Sequence, residues 1–383
     1  MPIKNILILL LLIASTTACV DKYWPEIDKY ENLLVVDGLL TNDDEPTVVK
    51  LSISTALDRS QITPVTGASL HFSTLTGSSF IYFTETEPGT YQITDPTFKG
   101  EINQFYQLYI ELQDGRQYAS DLCKLATPSP IDSVYGIVEN QELSGYNHDL
   151  QGVQFYIDNH STNADTNYYL WRCIQTYEYK ATFTLDYIWE GYPITVGNPD
   201  SLRTCWRTKN VDEIFTYSTK NLTTPVITKY PINYTSTETK MLSIRYSLLV
   251  NQLNISQAAF NFWDALRQQN IEQGSLYTRQ PIQIRGNIRN LENPDEPVLG
   301  YFTVAGITKK RIFTNRPSNL QFYYSICEPD FETVTLIGAS TPLFWPIYIT
   351  DIPGMGWAMA SSDVCFDCRL EGGELTPPNF WEY

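Results

Sequence analysis

The sequence predicts a mainly β protein: an N-terminal immunoglobulin-like β-sandwich, then a larger β-rich domain with one prominent helix near residues 256–273. Three observations predict this fold class. Short runs rich in Val, Ile, Thr and Tyr alternate with turn residues, as strands of a sheet do. The chain contains 26 Tyr and 17 Phe but only 4 Met. One stretch, residues 256–273, repeats its apolar side chains at helical spacing.

The N-terminus has the pattern of an exported, lipid-anchored protein. Lys4 precedes the apolar run 6–13, which is too short to cross a bilayer, where about 20 apolar residues are needed. We therefore interpret residues 1–18 as a secretory signal peptide. Cys19 directly follows a small residue, which predicts cleavage before it and acylation of its thiol. Thr16 stands where a lipobox usually has Leu, so an ordinary secreted protein is the alternative.

Charge limits the classes of partner. Residues 19–32 are polar and contain Pro25, as expected of a lipidated tether. The chain has a formal net charge of −17, which repels nucleic acid and anionic lipid. We therefore predict no nucleic-acid partner and attachment to a membrane through the lipid alone. No later segment is predicted to be a transmembrane helix.

Residues 33–126 are predicted to form the β-sandwich. Six strand-like runs recur about every 10 residues, a spacing typical of such folds: LLVVDGLL, TVVKLSIST, SLHFSTLTG, SFIYFTETE, TYQITDP and FYQLYIELQDGRQYAS. Pro88-Gly89 and Asp114-Gly115 supply turns, and the second pair suits a hairpin. A Cys…Trp…Cys spacing is missing from this region, so an antibody-type domain is not predicted.

Residues 125–133, with two prolines, are the predicted linker to a second β-rich domain at 131–383. Its strand-like runs are less regular: GVQFYIDN, NYYLWRCIQTYEYKATFTL, PVITKYPIN, MLSIRYSLLVNQLN, VLGYFTVAGITKKRIF and PLFWPIYITD. Within it, Ser256 is the predicted N-cap of the helix, and Gly274 is predicted to end it. Four apolar residues share one helix face, a pattern that favours packing over a ligand site: Ala259, Phe260, Trp263 and Leu266.

Without Cys19, six of the seven cysteines remain, which in an exported chain allows up to three disulfides. These are Cys123, Cys173, Cys205, Cys327, Cys365 and Cys368. Cys173 and Cys205 flank a hairpin-like excursion and are a plausible pair. Cys365 and Cys368 form a CxxC, for which zinc or redox chemistry is the alternative to two separate bridges. Since a second CxxC is lacking, we favour disulfides.

Catalytic motifs are missing from the sequence. His71 is predicted on a strand face, and His148 and His160 lie in polar loop sequence. HExxH, GxSxG and GxxxxGK[ST] patterns do not occur. The acidic clusters at 42–45 and 293–296 do not fit a calcium loop and are expected to be exposed turns. We therefore predict no catalytic residue, no metal site and no cofactor, although paired carboxylates of a glycosidase would be invisible at this level.

Landmarks over the mature chain carry a family resemblance. They are LLVVDGLLTND near the start, IDSVYGI (131–137), YYLWRC (168–173), Cys205-Trp206, IRYSLLVNQLNISQAAFNFWDAL (244–266), GSLYTRQPIQIRGNIRN (274–290), PVLGYFTVAGITKKRIF (297–313) and CFDCRLEGGELTPPNFW (365–381). In this combination the chain resembles the Bacteroidetes outer-membrane lipoproteins named domain of unknown function 4249. Members are typically encoded beside TonB-dependent receptors, and the family has no established catalytic residues.

The resemblance implies several expectations. Cys365 and Cys368 match the family's terminal C-x-D-C stretch and so are expected to be structural, with a tight turn at the Gly pair 372–373. Trp381 is expected to hold the C-terminus in a groove. Acidic residues near the anchor are in keeping with surface display in this phylum, and Lys22 interrupts that pattern. We expect a lipid-anchored protein of the outer membrane, with surface exposure favoured over a periplasmic position.

Three functions compete. The favoured one is a non-catalytic accessory or ligand-binding partner of a TonB-dependent transporter, supported by the anchor, the acidic aromatic-rich composition and the resemblance. A scaffold or assembly factor for surface proteins is the second and predicts flat interfaces. A surface hydrolase of glycans or peptides is the third and requires a cleft with two close carboxylates or a Ser/His pair near His148 or His160.

Overall fold

The computed structural model describes residues 32–54, 62–74, 80–93, 95, 97–142, 149–161, 167–273, 284–331 and 333–382. The predicted signal peptide, Cys19, nearly all of the tether, His148 and Gly274 lie outside these ranges. The chain is mainly β, as predicted, with one α-helix among the described residues. Within the same ranges, none of the helical segments has the length and apolar character needed to span a membrane.

The N-terminal region forms two facing sheets. Its strands are β1 (Leu34–Thr41), β2 (Val48–Ile53), β3 (Thr63–Pro64), β4 (Ser69–Thr74), β5 (Phe80–Tyr82), β6 (Thr84–Glu87), β7 (Thr90–Gln92), β8 (Phe105–Glu111), β9 (Gln117–Ser120) and β10 (Cys123–Lys124). Strands β1, β2, β3, β6 and β7 belong to one sheet, and β4, β5, β8, β9 and β10 to the other. Val36 and Leu51 of the first sheet pack with Phe72 and Leu108 of the second in one core. This is the predicted sandwich, in which alternate residues of each strand face inward.

Both predicted turns are confirmed. Asp114 and Gly115 lie between β8 and β9, where the Leu112 N–H donates to the Arg116 carbonyl at 3.0 Å. Gly115 has φ +87°, a left-handed conformation that glycine adopts without steric cost. At Gly89, between β6 and β7, a Cβ atom would lie 2.6 Å from the Leu51 carbonyl oxygen, so glycine is required there.

The second region contains the remaining elements. They are β11 (Ile131–Gln141), β12 (Leu150–His160), β13 (Tyr168–Lys180), β14 (Tyr187–Trp189), β15 (Pro193–Thr195), β16 (Thr204–Asn210), β17 (Phe215–Ser218), β18 (Val226–Ser236), β19 (Arg245–Asn254), α1 (Gln257–Gln273), β20 (Ile288–Asn290), β21 (Leu299–Asn315), β22 (Ile347–Ile352) and β23 (Gly356–Ala358). Short 3₁₀ turns lie at Lys240–Leu242, Thr333–Ala339, Pro342–Phe344, Asp363–Cys365 and Cys368–Glu371. The sheet β11-β12-β18 packs on the sheet β16-β13-β19-β21, with Phe155 and Ile157 facing Trp171, Tyr246 and Leu248. A second sandwich results.

The two sandwiches share strands. β21 pairs in parallel with β1, from Val35 opposite Leu299 to Thr41 opposite Ala305, and β20 pairs with β9. Phe302 of β21 is fully buried in the N-terminal core, with its ring centroid 5.2 Å from that of Phe72. The division into domains at 33–126 and 131–383 stays a prediction, and the hydrogen bonding of the sheet crosses it.

The predicted linker is an anchored strap. Ser129 is 4% exposed, and its N–H donates to Asn254 Oδ1 at 2.8 Å. Gln252 Nε2 donates to the Ser129 carbonyl at 3.0 Å. A Cβ atom at Gly306 would lie 2.3 Å from the Ala126 carbonyl oxygen, so the strap crosses the sheet at very close range. The segment therefore connects the sandwiches while it is itself fixed to the second one.

The predicted helix is confirmed as α1. Ser256 Oγ accepts from the Ala259 N–H at 3.2 Å, as an N-cap does. Ala259 and Phe262 are buried against Leu253, Tyr301 and Ala305 of the large sheet, and Phe260, Trp263 and Leu266 are half-buried beside them. Phe262 completes the stripe that the sequence predicted, and the stripe serves packing.

Two disulfides form, Cys205–Cys368 and Cys327–Cys365, and Cys123 and Cys173 are free thiols. The predicted Cys173–Cys205 pair is wrong. Cys205 lies opposite Tyr179, six residues along β13 from Cys173, and that separation is about 20 Å at strand geometry. A disulfide needs Cα atoms within about 7 Å. The CxxC holds neither zinc nor a redox pair, because each of its cysteines bridges a different distant partner.

Residues 181–203 and 325–382 form what we call the C-terminal lobe. It contains the sheet β15-β14-β22-β23 and a small core in which Leu185, Cys365 and Phe366 are buried. Both disulfides end in it. The Gly pair expectation is confirmed: Gly372 has φ +81°, and a Cβ atom at Gly373 would lie 2.4 Å from the Tyr179 hydroxyl. Trp381 is also buried, with its ring edge-on to Phe313 at 5.5 Å.

Candidate functional site

The structure does not bring the predicted histidines together. His71 lies on a strand face of the first sandwich, as predicted, and His148 lies outside the described residues. The expectation of a loop is wrong for His160, which is the last residue of strand β12 in the second sandwich and pairs with Val226. Its Nδ1 lies 2.7 Å from Asp132 Oδ1. Among the described residues, no group of three or more His, Cys, Asp or Glu side chains is arranged to hold a metal ion.

The acidic clusters are turns, as predicted, and they make structural contacts. In the first, Asp43 and Glu45 both form an ion pair with Lys309, the latter at 2.5 Å. In the second, Glu296 accepts hydrogen bonds from the Tyr118 hydroxyl at 2.8 Å and from Asn290 Nδ2 at 2.6 Å. Burial, followed by that hydrogen bond, raises the pKa of Tyr118, so the phenol stays protonated. Both clusters therefore connect β21 and its neighbours to the first sandwich.

A group of exposed apolar side chains on the C-terminal lobe is the strongest candidate for a functional surface. Four of them, which we call the apolar patch, are Tyr192 at 64%, Leu336 at 67%, Leu343 at 86% and Phe344 at 66% exposure. Leu336 and Phe344 line one groove of about 430 Å³ together with Ile337, Pro346, Ile347 and Met359. Single exposed apolar residues are ordinary, but several on one small lobe, two of them lining one groove, make this region a candidate interaction site.

Local structure explains why the patch points outward. Trp345 is half-buried: its Nε1–H donates to Ser340 Oγ at 2.8 Å, and its ring would lie 2.7 Å from a Cβ atom at Gly191. The 3₁₀ turn Pro342–Phe344 contains Leu343 and Phe344 and leaves both side chains in solvent. The sequence PLFWPIYITD was predicted to be a strand throughout, and only its part from Ile347 onward is one. Pro342 and Pro346 cannot donate to a ladder, which excludes them from the sheet interior.

Acidic residues line the groove and a neighbouring cleft. Asp363 lines it, and burial together with the nearby charge of Asp367 raises the pKa of the Asp363 carboxyl. Met359, which lines the groove, forms an antiparallel bridge with Asp330. Asp330 lines a larger cleft of about 1070 Å³. Glu328 and Asp330 line this cleft together with the Cys327–Cys365 disulfide.

The cleft is closed at one end by an ion pair. Lys240 Nζ lies 2.6 Å from Glu371 Oε1, and both side chains are largely buried. A third cavity, of about 490 Å³, lies between α1 and strands β17 and β18. There Arg267 is committed to Asp264 at 2.8 Å and to Thr216, while burial raises the pKa of Glu213. Of the charged groups in this third cavity, Arg267 is thus already paired.

The fold defines a class: a double β-sandwich protein with a disulfide-bonded lobe that exposes several apolar side chains. The family model described as Domain of unknown function (DUF4249) matches residues 20–311. The chain belongs to this family, as the resemblance implied. The apolar patch lies mostly beyond the matched residues, so the family model by itself does not point to it.

Other comparisons add little. No curated protein matches the chain. Among solved structures, the chain is similar to the M60 catalytic domain with the CBM51-1 and CBM51-2 domains from Clostridium perfringens ZmpB, at 6% identity and a TM-score of 0.14. The match covers 60% of this chain and 38% of that one, so the chain spans well under half of that protein's length. A likeness at this level carries no argument about fold or activity.

Sequence reasoning missed the apolar patch. A signal was present: Pro342 and Pro346 bracket the apolar run Leu343–Trp345, and proline at both ends argues against a buried central strand. The run was assigned to a strand because its composition is apolar and aromatic. Composition does not tell a buried apolar run from an exposed one, since that depends on which neighbours cover it.

Proposed function

We propose that the protein is a lipid-anchored outer-membrane protein that acts as a non-catalytic accessory or ligand-binding partner of a TonB-dependent transporter. The apolar patch is the surface that contacts the partner. The export signal ending at Cys19 supports the location. Membership of the DUF4249 family supports the type of partner, because members are typically encoded beside such receptors.

One observation carries the proposal: Leu343 and Phe344 are adjacent in the chain and expose 86% and 66% of their surface, and Phe344 lines an otherwise mostly apolar groove together with Asp363. The formal net charge of −17 keeps the chain soluble, and exposed apolar side chains add nothing to that solubility. Their exposure therefore calls for another explanation. Covering them with a partner removes apolar surface from water, at about 25 cal/mol per Å². Aromatic and aliphatic anchors of this kind dominate the energy of protein interfaces.

Co-purification tests the proposal. The native lipidated protein is solubilised from outer membranes in mild detergent, and its partners are identified by mass spectrometry. We expect a TonB-dependent transporter to be recovered, and Leu343→Glu with Phe344→Glu to abolish the recovery. Ile271→Glu, at a position 63% exposed on α1, is the matched control and should leave recovery unchanged. Failure of the unaltered protein to recover a transporter contradicts the proposal.

The anchor is tested separately. Cys19→Ser removes the only thiol available at the predicted cleavage point, so the variant should lose the acyl mass and leave the membrane fraction. Palmitate labelling and fractionation measure this. An unaltered distribution of the variant would contradict lipid anchoring but would leave the partner question open.

The apolar patch also suits a scaffold or assembly factor for surface proteins. That alternative predicts recovery of several surface proteins and no transporter in the same co-purification. A hydrolase would have to use the large cleft, where Glu328 and Asp330 are the carboxylates. Glu328→Gln with Asp330→Asn would then abolish hydrolysis of its substrate, whereas the accessory function would be unaffected.

A further inference from the structure

Four aromatic rings meet on the outer face of the first sandwich, far from any feature used above. We call them the aromatic platform: His71, Phe80, Tyr82 and Tyr109. In the sheet register, His71 of β4 lies between Tyr82 of β5 and Tyr109 of β8. The His71 ring is stacked on Tyr109 at 5.1 Å, lies 5.6 Å from Tyr82 and meets Phe80 edge-on at 5.2 Å.

The platform is not part of a core. Strand alternation places Leu70, Phe72 and Leu108 inside the sandwich, where they are buried, and turns the platform residues to the opposite face. Phe80 and Tyr82 expose 56% and 63% of their surface. An aromatic ring at a solvent-facing position of an edge strand leaves apolar surface in contact with water, which is unfavourable unless a ligand or partner covers the ring.

The platform is rigid and electrically neutral. The Tyr109 hydroxyl donates to Gln107 Oε1 at 2.9 Å, and Gln107 Nε2 donates to the Ser120 carbonyl at 2.8 Å, which fixes both side chains. Burial lowers the pKa of His71 and outweighs the opposing effect of Glu111, so the imidazole is uncharged at pH 7. Its ring nitrogens then offer one donor and one acceptor.

We propose that the aromatic platform binds an uncharged pyranose ring of a glycan. A pyranose presents a flat face of C–H groups and a rim of hydroxyls. The C–H face suits the electron-rich face of either Phe80 or Tyr82, whose rings are inclined at 83° and 46° to that of His71. The hydroxyls suit the Tyr82 hydroxyl and the imidazole of His71. The acidic chain and the nearby Glu111 carboxylate disfavour an anionic sugar.

A protein occupant fits less well. A stable interface needs about 800 Å² per partner, and rings of this size bury about 150–250 Å² each even when fully covered, with two of the four already half-covered here. The platform is therefore too small for a second copy of the chain. Strand addition is disfavoured too, because β5 offers an edge of only Phe80–Tyr82.

Affinity electrophoresis of the full-length lipidated protein in detergent tests the proposal. The probes are starch, xylan, mannan and β-glucan in the gel, with hyaluronan as an anionic comparison. We expect at least one neutral polysaccharide to retard the protein. Phe80→Ala with Tyr82→Ala should weaken that binding roughly tenfold or more, since the double change removes both possible stacking faces.

Tyr192→Ala is the matched control, because this tyrosine is equally exposed but belongs to the apolar patch. It should keep the retardation, and Tyr82→Phe should keep most of it. Thermal melting shows whether the double variant remains folded. Absence of retardation by every neutral probe, equal retardation of the double variant, or binding to hyaluronan alone would overturn the inference. None of these outcomes bears on the transporter, which is tested at the apolar patch.

Discussion

The first sandwich and the C-terminal lobe are stabilised in different ways. The sandwich buries large apolar side chains from both of its sheets and from β21, and the described part of it contains no disulfide. The lobe has few buried residues, and it holds three of the four disulfide-bonded cysteines. Small cores rarely stabilise a fold by themselves, so exported proteins add covalent links there.

The difference also separates where binding surfaces occur. The lobe can leave Leu343 and Phe344 in solvent because its disulfides, and not these side chains, fix its backbone. The sandwich presents its aromatic platform on a sheet whose opposite face is packed. In both regions the exposed rings are therefore held on a rigid support, which limits the entropy lost on binding.

Removal of the disulfides should give the largest decreases in the free energy of unfolding. Small decreases would contradict the view that the lobe depends on its covalent links. The Cys205–Cys368 bridge closes 163 residues and the Cys327–Cys365 bridge 38. In the chain-entropy description, the paired Cys→Ser variants should lose about 5 and about 4 kcal/mol respectively. Urea unfolding of the oxidised protein measures this, with Cys123→Ser as control. Losses below about 1 kcal/mol would mean that the lobe does not depend on its links.

Truncation of Phe302 tests the core of the sandwich. Phe302→Ala removes a fully buried ring that β21 contributes, and we expect a loss of about 3–5 kcal/mol in the free energy of unfolding. Phe344→Ala, at a phenylalanine that is 66% exposed, should change it by about 0.5 kcal/mol or less. Equal effects of the two variants would show that β21 does not complete the N-terminal core.

The alkylation rate of the free thiol Cys123 tests how well the first sandwich buries its side chains. Burial is the main cause that raises the pKa of Cys123 to about 11. At pH 8 its thiolate fraction, and so its rate of alkylation, should be roughly 100-fold below that of an ordinary cysteine. The rate should rise about tenfold per pH unit up to pH 10, because the thiolate is the reactive form. Iodoacetamide labelling followed by mass spectrometry measures it, and rapid labelling at pH 7 would contradict the burial.

The helix cap should give the smallest effect. Ser256→Ala removes the acceptor for the Ala259 N–H and should cost about 1 kcal/mol. Ser256→Asp should retain the stability, because aspartate caps equally well. Thermal unfolding compares the two variants. A cost as large for Asp as for Ala would mean that Ser256 acts through some contact other than the cap.

Local patterns predicted much of the fold. The sequences SLHFSTLTG and FYQLYIELQ identified strands β4 and β8. Asp114-Gly115 identified the hairpin that joins β8 to β9. Ser256 and the stripe of apolar residues identified α1 almost to the residue. These succeeded because the signal lies within a few residues: side-chain period, cap chemistry and left-handed glycine are local properties.

Pairing over long distances could not be predicted in this way. Cys173 and Cys205 flank an excursion in the sequence, yet the register of β13 and β16 sets them far apart. β21 pairs with β1 although about 260 residues separate them, and a parallel pairing leaves no turn signature. The apolar patch and the aromatic platform were missed for the same reason, since exposure is set by what packs above a residue.

By itself, the sequence determined the β-rich class, the helix and the membership of a family. Only the tertiary structure decided which cysteines pair, which strands close the first sandwich and which aromatic residues face water. The physical reason is that secondary structure follows from interactions between near neighbours along the chain. Burial and exposure follow from contacts among segments that the sequence does not place side by side.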